Sequence, residues 1–199
     1  MRLLPAGDRG VLVELADNGS VHALAQAARE RWGATLEEIV PGDRTLLVTW
    51  AAEPPADLRD ELAAIEPETV VRTPQTVTIP VRYDGPDLDY VASVAGIAVD
   101  ELPAIHSAAR YTAAFIGFTP GFAYLIGGDP RLAIPRRAQP RVHVDAGSVA
   151  LAAGYCAVYP SASPGGWHVI GHTDATLFDL SRNPPALIEA GAVVSFQPL

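Results

Sequence analysis

The sequence contains no lysine: all 14 of its basic residues are arginine. A Walker A loop needs its lysine, a Schiff-base enzyme needs one, and biotin is carried on one. Acting alone, this chain is none of these and carries no biotin. Cysteine is almost as scarce. The single Cys156 excludes an intrachain disulfide and a cysteine-based zinc cluster. Its place in the apolar run 152–158 predicts a buried, inert thiol. Long apolar runs are also missing, and none approaches the roughly 20 residues of a membrane helix. The opening M-R-L-L-P-A-G-D has no extended apolar segment of the signal-peptide kind. A cytoplasmic protein with no membrane partner is therefore expected. Positive charge is short overall, 14 basic against 23 acidic residues for a net charge of −9. That argues against nucleic acid as a partner, which depends on basic surface.

What is present is apolar and rich in turns. The 199 residues are 49% hydrophobic, enough for one sizeable core or two small domains. Residues 1–75 read as an α+β domain. Residues 11–15 are a strand, and Asn18 or Ser20 caps a helix with Val21, Leu24, Ala28 and Trp32 on one face and Gly33 as its stop. Residues 36–40 and 45–50 are strands joined at Pro41-Gly42-Asp43. A second helix carries Leu58, Leu62 and Ile65, and Val70 and Val71 close the unit as a strand. The order β-α-β-β-α-β resembles a ferredoxin-like split unit.

A boundary is expected near residues 73–75, with a second domain over 76–199. Val77, Ile79 and Val81 alternate with Thr78, Pro80 and Arg82 as in a half-buried strand, with Pro80 suggesting an edge. Residues 87–95 form a short helix ended by Gly96, and Asp100 caps another with Pro103 in its first turn. Short strands follow at 111–116, 142–144, 148–152, 156–159, 168–170, 176–180 and 192–196. That spacing suggests a closed or nearly closed barrel.

Three stretches could carry chemistry. In Y-P-S-A-S-P-G-G-W-H (159–168) Pro164, Gly165 and Gly166 force a turn before Trp167 and His168. Consecutive amides there could form an anion-binding nest, or the turn could be a tight hairpin with Trp167 in the core. In F-I-G-F-T-P-G-F-A-Y-L (115–125) Phe118, Phe122 and Tyr124 flank Gly121. They could wall a cleft for a flat ligand or fill the core. In R-L-A-I-P-R-R-A-Q-P-R (131–141) adjacent Arg136 and Arg137 could clamp a carboxylate or phosphate, or form solvated salt bridges. Of the histidines, His106 or His168 suits a hydrogen-bond donor or general acid–base. His168 and His172 lack the H-E-x-x-H form of a zinc site, and no metal is expected on this chain. Residues 145–148 read as a hairpin turn. No G-x-S-x-G elbow supports a serine hydrolase.

Together these stretches carry a resemblance. I-P-V-R-Y-D-G-P-D-L (79–88), H-S-A-A-R-Y (106–111), G-F-T-P-G-F-A-Y-L (117–125), I-P-R-R-A-Q-P-R (134–141), A-G-S-V-A-L-A-A-G (146–154) and Y-P-S-A-S-P-G-G-W-H-V-I-G-H-T (159–173) stand in this order. The chain resembles the family of 5-oxoprolinase B subunits, also labelled allophanate hydrolase subunit 1 or sporulation-kinase inhibitor. The likeness implies a cyclophilin-like β-barrel after the small α+β domain. Such a barrel does not make the chain a prolyl isomerase. It implies a homologous C subunit as partner, the pair resembling the carboxyltransferase region of urea carboxylase, together with an A subunit as third member. It implies conversion of the lactam 5-oxoproline to glutamate with ATP as co-substrate, bound on or with the partner subunit, and Mg as cofactor. His106, Arg136, Arg137 and His168 would be the catalytic candidates. Phe118, Gly121, Phe122, Tyr124, Ser163, Gly165, Gly166 and Trp167 would bind substrate. Inhibition of a sensor histidine kinase, or a part in an allophanate or urea pathway, are the alternatives the same family labels suggest.

Overall fold

The structure, a computed structural model, describes residues 1–55, 57–65 and 74–199. It begins with a strand that the sequence pattern does not announce, β1 (Arg2–Pro5), which pairs antiparallel with β2 (Gly10–Glu14). Helix α1 (Asn18–Trp32) follows. Its N-cap is neither Asn18 nor Ser20 but Asp17, whose carboxylate accepts the Ser20 N–H at 2.8 Å. Asn18 sits inside the helix and donates to the carbonyls of Gly42 and Asp43. The helix stops at Gly33, whose positive φ of 46° suits glycine. β3 (Leu36–Pro41) and β4 (Thr45–Trp50) complete an antiparallel sheet in the order β1-β2-β4-β3. Thus β2-α1-β3 with β4 between is the first half of the split unit expected, and β1 fills the edge beside β2. Leu46, Val48 and Trp50 alternate inward against Val21, Leu24 and Ala25 of α1. Helix α2 (Leu58–Ala63) adds Leu62 to that core. The strand expected at Val70 and Val71 lies outside the described residues.

The chain divides into two compact units, Met1–Thr73 and Pro74–Leu199. The second opens with β5 (Thr76–Val81), where Val77, Ile79 and Val81 are buried in strict alternation. Helix α3 (Leu88–Ala95) ends on left-handed Gly96. Helix α4 (Leu102–Ala108) has Pro103 in its first turn, but its N-cap position is Glu101, not Asp100. Glu101 instead accepts the Ala98 N–H at 2.8 Å.

Strands β6 (Tyr111–Ile116), β7 (Ala123–Ile126), β8 (Arg141–Val144), β9 (Ser148–Ala152) and β10 (Tyr155–Val158) come next. They are followed by β11 (Ser163–Gly165), β12 (His168–His172) and β13 (Val193–Pro198). Six of these strands join β5 in one seven-stranded sheet, β12-β9-β10-β7-β6-β13-β5, and β8 pairs with β11 as a separate ribbon. The sheet curls until its end strands meet. Arg82, just past β5, exchanges two backbone hydrogen bonds of 2.9 and 2.8 Å with His172 at the end of β12. The result is a nearly closed barrel.

Three expectations change here. Residues 176–180 are not a strand: only an isolated bridge, Phe178 to Ala186, forms there. Residues 145–148 turn the chain from the ribbon into the barrel sheet, since β8 and β9 do not pair with each other. The Pro-Gly-Gly segment is not a hairpin either. β9 lies between β10 and β12, and Ser163–Gly165 is itself a strand.

Candidate functional site

β9 and β10 are buried on both faces, and the two faces differ in size. Val149, Leu151, Cys156 and Val158 belong to the barrel core. Ala150, Ala152 and Ala157 face the other way, where they pack with Phe122, Tyr159 and Trp167. Small residues on that outer face leave room for aromatics. Phe122 meets Tyr159 and Trp167 edge-on, with ring centroids 5.4 and 5.7 Å apart. Tyr124 meets Trp167 at 5.7 Å. Edge-to-face pairs of this kind hold rings rigidly in place.

These rings wall a cleft of about 270 Å³, lined also by Phe118, Tyr155, Ala153, Pro164, Gly165, Gly166 and Arg136. Phe118 lies at its rim, 61% exposed. Among the described residues, Phe118 and Ala153 are the non-glycine residues with positive φ, at 69° and 52°, and both line this cleft. Such backbone strain concentrates at functional sites. A Cβ on Gly165 would collide with the Tyr159 hydroxyl, so glycine lets the phenol approach the turn. Burial holds the Tyr159 hydroxyl above the usual tyrosine range, although Arg136 pulls the other way, so it stays a proton donor.

Arg136 is the charged side chain of the cleft lining. Among the described residues it has no salt bridge. Its neighbour differs. Arg137 donates from Nη1 to Asp87 Oδ1 at 2.7 Å, and Arg141 reaches both Asp87 oxygens at 2.8 and 2.9 Å. The Asp87 carboxylate also accepts the Val169 N–H at 2.7 Å. Burial alone would raise its pKa, but the arginines and the amide outweigh that and hold it below the usual carboxylate range.

The cleft therefore gathers Phe118, Phe122, Tyr124, Arg136, Gly165, Gly166 and Trp167 from the sequence-derived set. It does not gather the rest. Arg137 is not a free clamp, because Asp87 holds it. His106 is fully buried in the second unit's core, bonded through Nδ1 to the Tyr83 hydroxyl at 2.8 Å and 3.3 Å from Cys156 Sγ. Burial drives its pKa down to about 3, so it is a neutral core histidine and not a proton carrier at the cleft. His168 points away from Trp167's side of the strand, stacking on Tyr90 at 4.7 Å. Its Nε2 bonds the Pro135 carbonyl at 3.2 Å, and burial lowers its pKa. Gly121 is a turn residue at φ 84°, packed on Phe178 and Leu177. Ser163 lies in β11, its hydroxyl donating to the Pro164 carbonyl. Sequence reasoning missed Asp87, Ala153, Tyr155 and Tyr159. Asp87, Ala153 and Tyr159 had a signal, their places inside the stretches that carry the family resemblance, and Tyr155 had none.

A family model for the carboxyltransferase domain, subdomain C and D, matches residues 1–188. The chain is 43% identical over 142 residues to the 5-oxoprolinase B subunit of Escherichia coli O157:H7, a match that covers 70% of this chain and 63% of that protein. It is 34% identical over 215 residues to the 5-oxoprolinase B subunit of Bacillus subtilis (strain 168), covering 96% of this chain and 89% of that one. The chain thus spans just under two thirds of the first relative's length. The crystal structure of TTHA0988 superposes with a TM-score of 0.83 at 33% identity, over 96% of this chain and 40% of that one. Kluyveromyces lactis urea carboxylase shares the fold, with a TM-score of 0.72 at 19% identity, over 99% of this chain and 21% of that one. The chain belongs to the carboxyltransferase subdomain C and D family. Within it, the chain stands among the 5-oxoprolinase B subunits.

Proposed function

We propose that this chain is the B subunit of an ATP-dependent 5-oxoprolinase and that its aromatic cleft binds 5-oxoproline. The observation that carries the reading is the guanidinium of Arg136, without an ion pair among the described residues, at the mouth of an aromatic cleft of about 270 Å³. 5-Oxoproline is a small, nearly flat lactam bearing one carboxylate. Its ring matches the aromatic walls, and its carboxylate matches one arginine fork. The Tyr159 hydroxyl, held protonated, is a donor suited to charge that grows on the lactam oxygen.

ATP suits this cleft less well, because one guanidinium does not balance a triphosphate. Among the described residues, no three His, Cys, Asp or Glu side chains are grouped to hold a metal. On this reading the nucleotide and its magnesium sit with the homologous C subunit. In the reaction the γ-phosphoryl group leaves ADP and bonds to the lactam oxygen. The A subunit then adds water at the lactam carbonyl carbon, the ring C–N bond breaks and its nitrogen takes a proton, and the γ-glutamyl phosphate so formed is split by a second water into glutamate and phosphate. This chain's part is to bind and orient the lactam.

The test is glutamate release from 5-oxoproline and ATP by this chain with its C and A subunits, each omitted in turn. Release only from the full mixture supports the reading. Equal release without this chain sinks it.

A further inference from the structure

Asp87 occupies a helix N-cap position and does not cap the helix. α3 begins at Leu88, yet the Asp87 side chain makes no cap hydrogen bond to it. An aspartate at this place ordinarily accepts an amide of the first helical turn. Here the carboxylate, 5% exposed, is given over to two arginines and the Val169 amide. One buried negative charge holds two positive ones, an arrangement that unravels by repulsion between Arg137 and Arg141 if Asp87 is lost.

The node grips a particular piece of chain. Pro135 is fastened by His168 through its carbonyl, and Arg137 by its own N–H, which donates to the Gly166 carbonyl at 2.9 Å. The Arg137 side chain then ties to Asp87, and so does Arg141. Arg136 lies between two fastened neighbours and is itself exposed, with no ion pair among the described residues. A long, free side chain would lose much rotamer freedom on seizing a ligand. Fixing its backbone from both sides removes part of that cost.

We propose that Asp87 is a positioning residue: by clamping Arg137 and Arg141 it aims the Arg136 guanidinium at the carboxylate of the cleft's ligand. This rests on the reading of the cleft as the 5-oxoproline site.

The experiment compares the full chain with its Asp87→Asn variant in three readouts. 5-Oxoproline and its carboxylate-free analogue 2-pyrrolidinone are the ligands, followed by Trp167 fluorescence. The expected result is that Asp87→Asn weakens 5-oxoproline about tenfold or more and leaves 2-pyrrolidinone within about twofold. A purely structural loss would weaken both alike, and that result overturns the proposal. Adding Arg136→Met to Asp87→Asn is expected to bring little further loss for 5-oxoproline, whereas full additivity counts against coupling. Arg137→Met, which removes one arm and leaves Arg141 on Asp87, keeps the test open if Asp87→Asn fails to fold. It is expected to weaken 5-oxoproline selectively although Arg137 does not line the cleft. The third readout needs no ligand. Hydrogen exchange at the Arg137 amide is expected to quicken in both variants, and unchanged exchange overturns the proposal. If the unaltered chain binds no 5-oxoproline while exchange still quickens, the substrate reading fails and the clamp stands.

Discussion

The backbone N–H of Arg137 donates to the carbonyl of Gly166 at 2.9 Å. The arginine segment and the Pro-Gly-Gly turn, 29 residues apart in sequence, are thereby one structural unit. What disturbs the turn moves the charge beside it.

Gly165→Ala is expected to weaken 5-oxoproline binding, because the new Cβ collides with the Tyr159 hydroxyl and pushes the phenol out of place. Gly166→Ala is the milder change, since its Cβ would stand 3.4 Å from Arg136 Nη2, the far end of a flexible side chain. Titrations of both variants, followed by Trp167 fluorescence, check this ordering. Equal affinities would contradict it.

Arg136→Met is expected to lower 5-oxoproline affinity about tenfold to a hundredfold, the worth of a charge-assisted pair. Thermal stability should stay within about 0.5 kcal/mol, as for exposed surface changes. Calorimetric titration and a melting curve on the same sample separate the two. A stability loss equal to the binding loss would place Arg136 in the fold and not in the cleft.

Two backbone positions should respond in opposite ways. Ala153 has φ 52°, so Ala153→Gly relieves left-handed strain and should be neutral or stabilising by up to about 1 kcal/mol. Gly85→Ala drives a Cβ into the backbone of Val169 and Ile170, at the seam where the barrel ends meet. Backbone cannot swing aside, so a loss of about 2 kcal/mol or more is expected. Denaturant melts decide both. A tolerated Gly85→Ala would mean a looser seam than its contacts imply.

Acid should destabilise the second unit. His106 in the fold titrates at about 3 against 6.5 in an open chain, because burial disfavours its charged form. Its stabilising share is complete above 6.5 and drains away as pH falls from there towards 3. Near pH 4.5 the loss is about 3 kcal/mol. His168, also lowered by burial, acts in the same direction. His106→Gln should flatten the stability-versus-pH curve in that window, and an unchanged slope would assign the acid sensitivity elsewhere.

Much of this architecture was legible because it obeys short-range rules. Alternation located β5 and β4, and Gly33 and Gly96 marked helix ends by their handedness. The cleft was legible in part for the same reason. Phe118, Tyr124 and Trp167 sit beside Gly and Pro turns that announce themselves. What failed was anything decided at a distance. His106 looks available in the string H-S-A-A-R-Y and is sealed by Tyr83, Cys156 and Phe196 from remote segments. Arg136 and Arg137 look equivalent as neighbours, and Asp87, about fifty residues earlier, distinguishes them. Asp87 itself reads as no more than the first residue of a helix, and the fold alone shows its carboxylate given to Arg137, Arg141 and the Val169 amide. Residues 176–180 have strand composition but find no open edge in a sheet whose ends already meet.

β13 lies between β5 and β6, running parallel to the first and antiparallel to the second. The barrel's first strand therefore has its ladder partner only at residues 193–198. During synthesis β5 leaves the ribosome early and waits unpaired while more than a hundred residues follow. The barrel is an object that translation finishes all at once, and a nascent chain stopped before β13 would carry an open strand edge for chaperones to guard.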